Sequence, residues 1–271
     1  MNRLWSLLFL LVPICGIIAF VMAACNVGPL AGAWLPENYS VTGIAVDHLW
    51  SVVHWICAFI FALTGLLMGY VVWRFGGSSQ SDAVYTKGSV GLELTWSIIP
   101  GAVLLGLAIY QMNAWAEQRV NRPTFEKNGE ALPVLARVHV IAKQFGWEFH
   151  YAGADEIFDT LDDFWVENLL VVPDDESTVL QLESRDVIHS FYVPKMRLKH
   201  DVVPGMTQTA WFTPLSQGTL NIVCAELCGW GHYKMNGKLR IVSRQEYNRW
   251  ITDQQNRMKP PQLEPYTESN P

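Results

Sequence analysis

The chain has 271 residues, of which 50% are hydrophobic and only 16% charged, and its mean hydropathy is +0.15. That balance speaks against a disordered chain and against an ordinary soluble globule. A formal net charge of −6 argues against a nucleic-acid partner, and five cysteines are too few for a disulfide scaffold.

Taken in chain order, the first feature is an apolar run free of charge from Leu4 to Pro36. Arg3, the run itself and Met22-Ala23-Ala24-Cys25 have the layout of a signal peptide with a lipoprotein-type cleavage site. They fit an uncleaved extra membrane helix equally well, and both readings stay open for residues 1–25. Leu49 to Trp73 and Leu94 to Ala116 are again free of Asp, Glu, Lys and Arg. At about 1.5 Å per residue, each is long enough for a hydrocarbon core of roughly 30 Å. Transmembrane helices are expected over 48–74 and 91–116, anchored at their ends by Trp50, Trp73, Trp96, Tyr110 and Trp115. The connection between them holds Arg74 and Lys87 against Asp82. The positive-inside rule puts that connection in the cytoplasm and everything after Trp115 on the far side.

Past Ala116 the composition turns to that of a soluble β domain, expected over 117–243. Runs at 134–142, 144–151, 168–172, 178–183, 208–212, 219–223 and 238–242 are β-prone and separated by turn formers such as Pro173-Asp174-Asp175 and Pro204-Gly205. Many short strands at this spacing predict a sandwich or barrel. A helix is expected from Ser243 to Met258, then a loose Pro-rich tail, these making up a C-terminal region over 244–271.

Chemistry concentrates in residues 224–235, Cys-Ala-Glu-Leu-Cys-Gly-Trp-Gly-His-Tyr-Lys-Met. Two thiols, one imidazole and one thioether directly after a strand are soft ligands that select copper over magnesium or calcium. A single cupredoxin-type copper needs one Cys and two His, so the second thiol points to two metal ions bridged by two sulfurs. The missing imidazole is best supplied by His189, placed at the end of a strand-like run. Singly, each residue has a plain alternative: a Cys224–Cys228 disulfide, a turn histidine, a core methionine. Glu93 is costly where it stands, three residues before Trp96 at the start of a membrane helix. Its plain alternative is an acid reaching for headgroups.

The segment Cys224–Met235 resembles the binuclear copper A loop of the cytochrome c oxidase subunit II family. Asp186-Val187-Ile188-His189-Ser190-Phe191-Tyr192-Val193-Pro194 is similar to the family segment that carries the other histidine, and Lys199-His200-Asp201-Val202-Val203-Pro204-Gly205 extends it. Lys143–Phe149 resembles its aromatic strand and Glu93–Pro100 its second membrane helix. The resemblance, which spans about residues 48–250, implies a membrane-anchored all-β protein: a transmembrane helical hairpin followed by a cupredoxin-like Greek-key β-barrel or sandwich. It makes Cys224 and Cys228 bridging thiolates, His189 and His232 terminal ligands, and Met235 a weak axial ligand. Glu226 would offer its backbone carbonyl to copper, and its side chain to a magnesium ion shared with subunit I. Glu93 falls where the family has the acid at the mouth of a proton pathway.

By the same resemblance, electrons arrive from a cytochrome c, soluble or membrane-held, and pass to haem a in subunit I, which reduces dioxygen and pumps protons. The setting implied is a bacterial-type inner membrane with the copper domain periplasmic. Two departures stand out. Phe145 occupies the place of the family's first strand Trp, its electron-receiving residue, while Trp147 keeps the second. There is also no Cys-x2-Cys-His for a fused haem c. The acids Asp155, Glu156, Asp159, Asp162, Asp163 and Glu167 could steer a basic cytochrome or form a solvated loop. A copper A nitric oxide reductase subunit remains as a rival in the same class. In a different class, a membrane-tethered copper chaperone predicts alternating helices and strands. A quinol oxidase subunit is disfavoured because that branch lacks these ligands.

Overall fold

The computed structural model of the chain describes residues 2–76, 85, 87–127, 130–134, 137–153, 157–158 and 160–258. Asp82, Asp155, Glu156, Asp159 and the tail 259–271 lie outside these. The described chain divides into a helical unit, Met1–Glu37 with Ala45–Trp115, and a β unit, Asn38–Ile44 with Ala116–Pro271.

In the helical unit, three helices are long and apolar enough to cross a membrane: α1 (Asn2–Ala24), α2 (Val41–Phe75) and α3 (Val90–Tyr110). Helix α2 starts ahead of its charge-free stretch. Ser89 caps α3 by accepting from the Leu92 amide, 3.4 Å. A short α4 (Met112–Arg119) follows a break at Gln111. Helices α1 and α2 pack through small residues: Cβ atoms added at Gly65 and Gly69 would come within 2.6 Å of Pro13 and 2.8 Å of Leu10. Ser6 Oγ also donates to the Gly69 carbonyl, 3.0 Å. This Gly-x3-Gly face permits the close backbone approach that drives helix association in lipid.

The β unit begins with a hairpin, β1 (Thr124–Lys127) and β2 (Glu130–Pro133). Ten further strands follow: β3 (Val138–Lys143), β4 (Gly146–Tyr151), β5 (Phe164–Glu167), β6 (Leu169–Pro173), β7 (Thr178–Ser184), β8 (His189–Val193), β9 (Leu198–Val202), β10 (Gln208–Phe212), β11 (Gly218–Cys224) and β12 (Asn236–Val242). They form two five-stranded sheets, ordered β10-β7-β3-β4-β5 and β6-β12-β11-β8-β9. All pairs are antiparallel except β3 with β7 and β12 with β6. Alternation sets the faces: Val138, Val140 and Ala142 are buried while His139 and Ile141 are less so. Trp147, Phe149, Leu180, Leu182, Phe191, Phe212, Ile222 and Leu239 fill the core. Tyr151 ties the two sheets together. Its hydroxyl donates to the Val171 carbonyl (3.1 Å) and accepts from the Val171 amide (2.7 Å), and burial pushes its pKa well above the ordinary phenol value.

Helix α5 (Arg244–Met258) closes the unit, with Ser243 accepting from the Glu246 amide at its start. Among the described residues, the β unit shows no alternation of helices and strands, so the chaperone alternative falls away. Residues 38–41 belong to this unit: the Tyr39 amide donates to Lys195 and the Val41 amide to Thr213.

Candidate metal centre

Strands β8 and β11 lie side by side, with Cys224 opposite Phe191. This pairing sets His189, which opens β8 rather than ending a strand, close to Cys224, the last residue of β11. The correction follows from the ladder. His189 pairs with Val202 of β9, whereas 185–188 turn the chain between the two sheets. Beyond Cys224, a loop returns to β12 and is closed at its neck, where the Cys224 amide donates to the Met235 carbonyl and the Ala225 amide to Ser190. Gly229 takes φ +130, a backbone conformation rarely open to L side chains.

His189, Cys224 and Cys228 are buried, and their ligand atoms lie within 4.8 Å of one another. The sulfurs stand 3.9 Å apart, far beyond the roughly 2.05 Å of a disulfide, and both thiols are free. His189 Nδ1 lies 3.8 Å from Cys224 Sγ, and His232 Nδ1 lies 3.6 Å from Cys228 Sγ. Each thiol thus has an imidazole beside it. Met235 Sδ approaches Cys228 Sγ at 3.8 Å, and the Glu226 carbonyl approaches Cys224 Sγ at 3.2 Å. A single cupredoxin-type copper uses one thiol, whereas here two free thiols and two imidazoles come together. This donor set fits a pair of soft metal ions.

The surroundings prepare the ligands. Burial works to raise the Cys224 thiol, but His189 and the backbone at Ser190 and Glu226 outweigh it and bring the pKa to about 6. Burial and the neighbouring Cys224 raise Cys228 to about 11. Asp186 accepts from His189 Nε2 (2.8 Å), from the Gln144 amide and from the Val187 amide, which fixes the imidazole with Nδ1 toward the sulfur. Gln144 Nε2 donates to the Cys228 carbonyl, 2.6 Å, bracing the loop from the β3–β4 turn.

The other expected residues fall elsewhere. Trp147 is fully buried, its ring 6.2 Å from His189 and 5.4 Å from Phe191. Phe145 is half-buried beneath the loop and meets Trp230 edge-on at 5.2 Å. The Glu226 side chain is exposed. Glu93 belongs to the helical unit, in the first turn of α3. Sequence reasoning missed Asp186 as the residue that holds His189. It also missed Trp230, whose one signal was its position between Cys228 and His232.

The features together define a membrane-anchored, cupredoxin-like protein with a sulfur-rich metal loop. Residues 158–242 match the family described as Cytochrome C oxidase subunit II, periplasmic domain, and residues 32–114 match its transmembrane domain. The alternative cytochrome c oxidase subunit 2 of Bradyrhizobium diazoefficiens is 29% identical over 231 residues, covering 77% of this chain and 80% of that protein. The cytochrome c oxidase subunit 2 of Alkalihalophilus pseudofirmus is 29% identical over 224 residues, covering 83% of this chain and 59% of its own length. A crystal structure of the periplasmic domain of subunit II of cytochrome oxidase from Bradyrhizobium japonicum superposes with a TM-score of 0.40 at 25% identity, covering 45% of this chain and 94% of that one. The chain belongs to the subunit II family of the haem-copper oxidases.

Proposed function

We propose that this chain receives electrons for a respiratory haem-copper oxidase at a binuclear copper A centre. In this reading Cys224 and Cys228 would hold the metals through shared thiolates, His189 and His232 would each supply an imidazole, Met235 a weakly binding thioether and Glu226 its backbone carbonyl. The gathering of two free thiols with an imidazole beside each carries the reading. When bound, the copper pair supplies reversible one-electron chemistry. The chain's own part is to keep geometry fixed between redox states. Two ligands sit on adjacent strands, the loop neck is hydrogen-bonded shut, and Asp186 and Gln144 hold an imidazole and a loop carbonyl. Cys224, Cys228 and Met235 belong to the same buried cluster as Phe191 and Trp147, and that apolar surrounding limits solvent reorganisation.

Electrons then come from a cytochrome c, soluble or membrane-held, and leave for haem a in subunit I. The exposed Glu226 side chain is available for a magnesium ion shared with subunit I. Glu93, at the cytoplasmic end of α3, is assigned to the mouth of a proton pathway, and the β unit to the periplasmic side of a bacterial inner membrane. Close packing of α1 on α2 favours α1 as a retained membrane helix over a cleaved leader.

The test is copper quantification and EPR on the purified oxidase. Two coppers per chain with a mixed-valence signal shared equally by both are expected, and Cys228→Ser should collapse this to a mononuclear signal. A wild-type chain with one copper, or with an oxidised Cys224–Cys228 pair that takes no metal, would overturn the reading.

A further inference from the structure

An electron reaching the metal loop must cross the protein surface near it, where Phe145 is only half-exposed. The loop covers one side of that ring. A Cβ on Gly231 would lie 2.5 Å from its Cδ2, and one on Gly229 would lie 3.2 Å from its Cε1. Glycines at both places let the loop backbone lie directly on the ring. Trp230 then stands against it, centroids 5.2 Å apart at 65°.

Trp230 is itself 76% exposed. It lies two residues from Cys228 and two from His232, so its backbone is continuous with ligands at one end of the site. Leu227 and Tyr233 of the same loop are 77% and 83% exposed. Large apolar side chains this exposed around a metal loop mark a contact surface. Lys234 Nζ lies 4.6 Å from the centre of the Trp230 ring, which fixes a positive charge beside it.

We propose that Trp230 is the residue that meets the electron donor, with Phe145 as the inner aromatic spacer between it and the metal loop. The proposal rests on the copper A reading above. The donor it fits is a small c-type haem protein whose exposed haem edge is apolar, with an acidic group placed to meet Lys234. In the step itself, one electron leaves the ferrous haem of the donor, which becomes ferric, and the metal pair takes it up. No bond breaks and no proton moves. The aromatic contact on the outside and the loop backbone on the inside give a short path that does not depend on a tryptophan at position 145.

The test uses the assembled oxidase with Trp230→Ala and Trp230→Phe. Reduction of the copper centre by a reduced soluble c-type cytochrome is followed by stopped flow. Hexaammineruthenium(II), small enough to need no docking surface, serves as control. Trp230→Ala should slow the cytochrome reaction at least about tenfold, the scale on which loss of an interface tryptophan acts. Trp230→Phe should slow it less, and the ruthenium reaction should be unchanged. Hydroxyl-radical footprinting of the wild-type oxidase should find Trp230 oxidised alone and protected when the cytochrome is added. A wild-type cytochrome rate in Trp230→Ala would overturn the proposal. So would protection of Trp230 before any donor is added, which would show that another oxidase subunit covers it. The EPR signal of the same samples keeps the two levels apart: a mononuclear signal removes the copper A reading itself, whereas an intact binuclear signal with an unaffected donor rate removes only the role of Trp230.

Discussion

At the residue scale, the chemistry of the centre depends on a carboxylate that binds no metal. Asp186 accepts three hydrogen bonds, one from His189 and two from backbone amides on either side of the site. Burial would raise its pKa, but these donors hold it below the ordinary carboxylate value, so it is charged at neutral pH. Removing it frees the ring of His189 to turn its Nδ1 away from Cys224. Asp186→Ala is therefore expected to lower copper affinity by about 10–100-fold, with the fold intact, as read by competition against a chelator. The candidate donors could be picked out by type and spacing, because soft donors this dense have few other uses. Asp186 was not, since its role depends on the turn between the sheets that brings it back to the imidazole.

At the element scale, β4 carries a second cluster. Glu148 is almost fully buried and meets Lys143, Arg185 and His150. Burial acts to raise its pKa, yet Lys143, His150 and Arg185 together bring it below the usual 4.5. A carboxylate lowered in the folded state adds stability that is complete above the unfolded value and fades as pH falls through the folded one. Glu148→Gln should thus cost about 1–2 kcal/mol at neutral pH and much less near pH 3, measured by urea unfolding at both. In the helical unit, α1 meets α2 at Gly65 and Gly69, where a side chain has no room. Gly69→Leu should separate the two helices and lower the yield of assembled protein. The intact mass of the wild-type chain should include residues 2–24. Strands with clear alternation, such as β3 and β7, were legible in the sequence. β8 and β9 were not, because β9 is a short edge strand with three polar residues, held by pairing with β8 rather than by propensity.

At the scale of the whole molecule, the proposed metal centre and the proposed proton-pathway acid fall in different units. The candidate metal ligands are all in the β unit and Glu93 is in the helical unit. Glu93→Gln should therefore slow turnover of the assembled oxidase while leaving copper content and the EPR signal unchanged; unaltered turnover would end its assignment to a proton pathway. Hydrophobic runs without charge fixed the apolar helices from sequence alone, because a bilayer leaves few alternatives to such a stretch. The ligand types and the spacing Cys-x3-Cys-x3-His-x2-Met likewise determined which metal chemistry the loop could support. Tertiary structure alone decided how those ligands are ordered in space. Adjacency of β8 and β11 brings His189 to Cys224 across 35 positions of chain, and strand pairing at that range leaves no local trace. It also decided what faces outward. Phe145 and Trp230 are both aromatic in the sequence, and only the loop folded over the first determines that the second meets solvent.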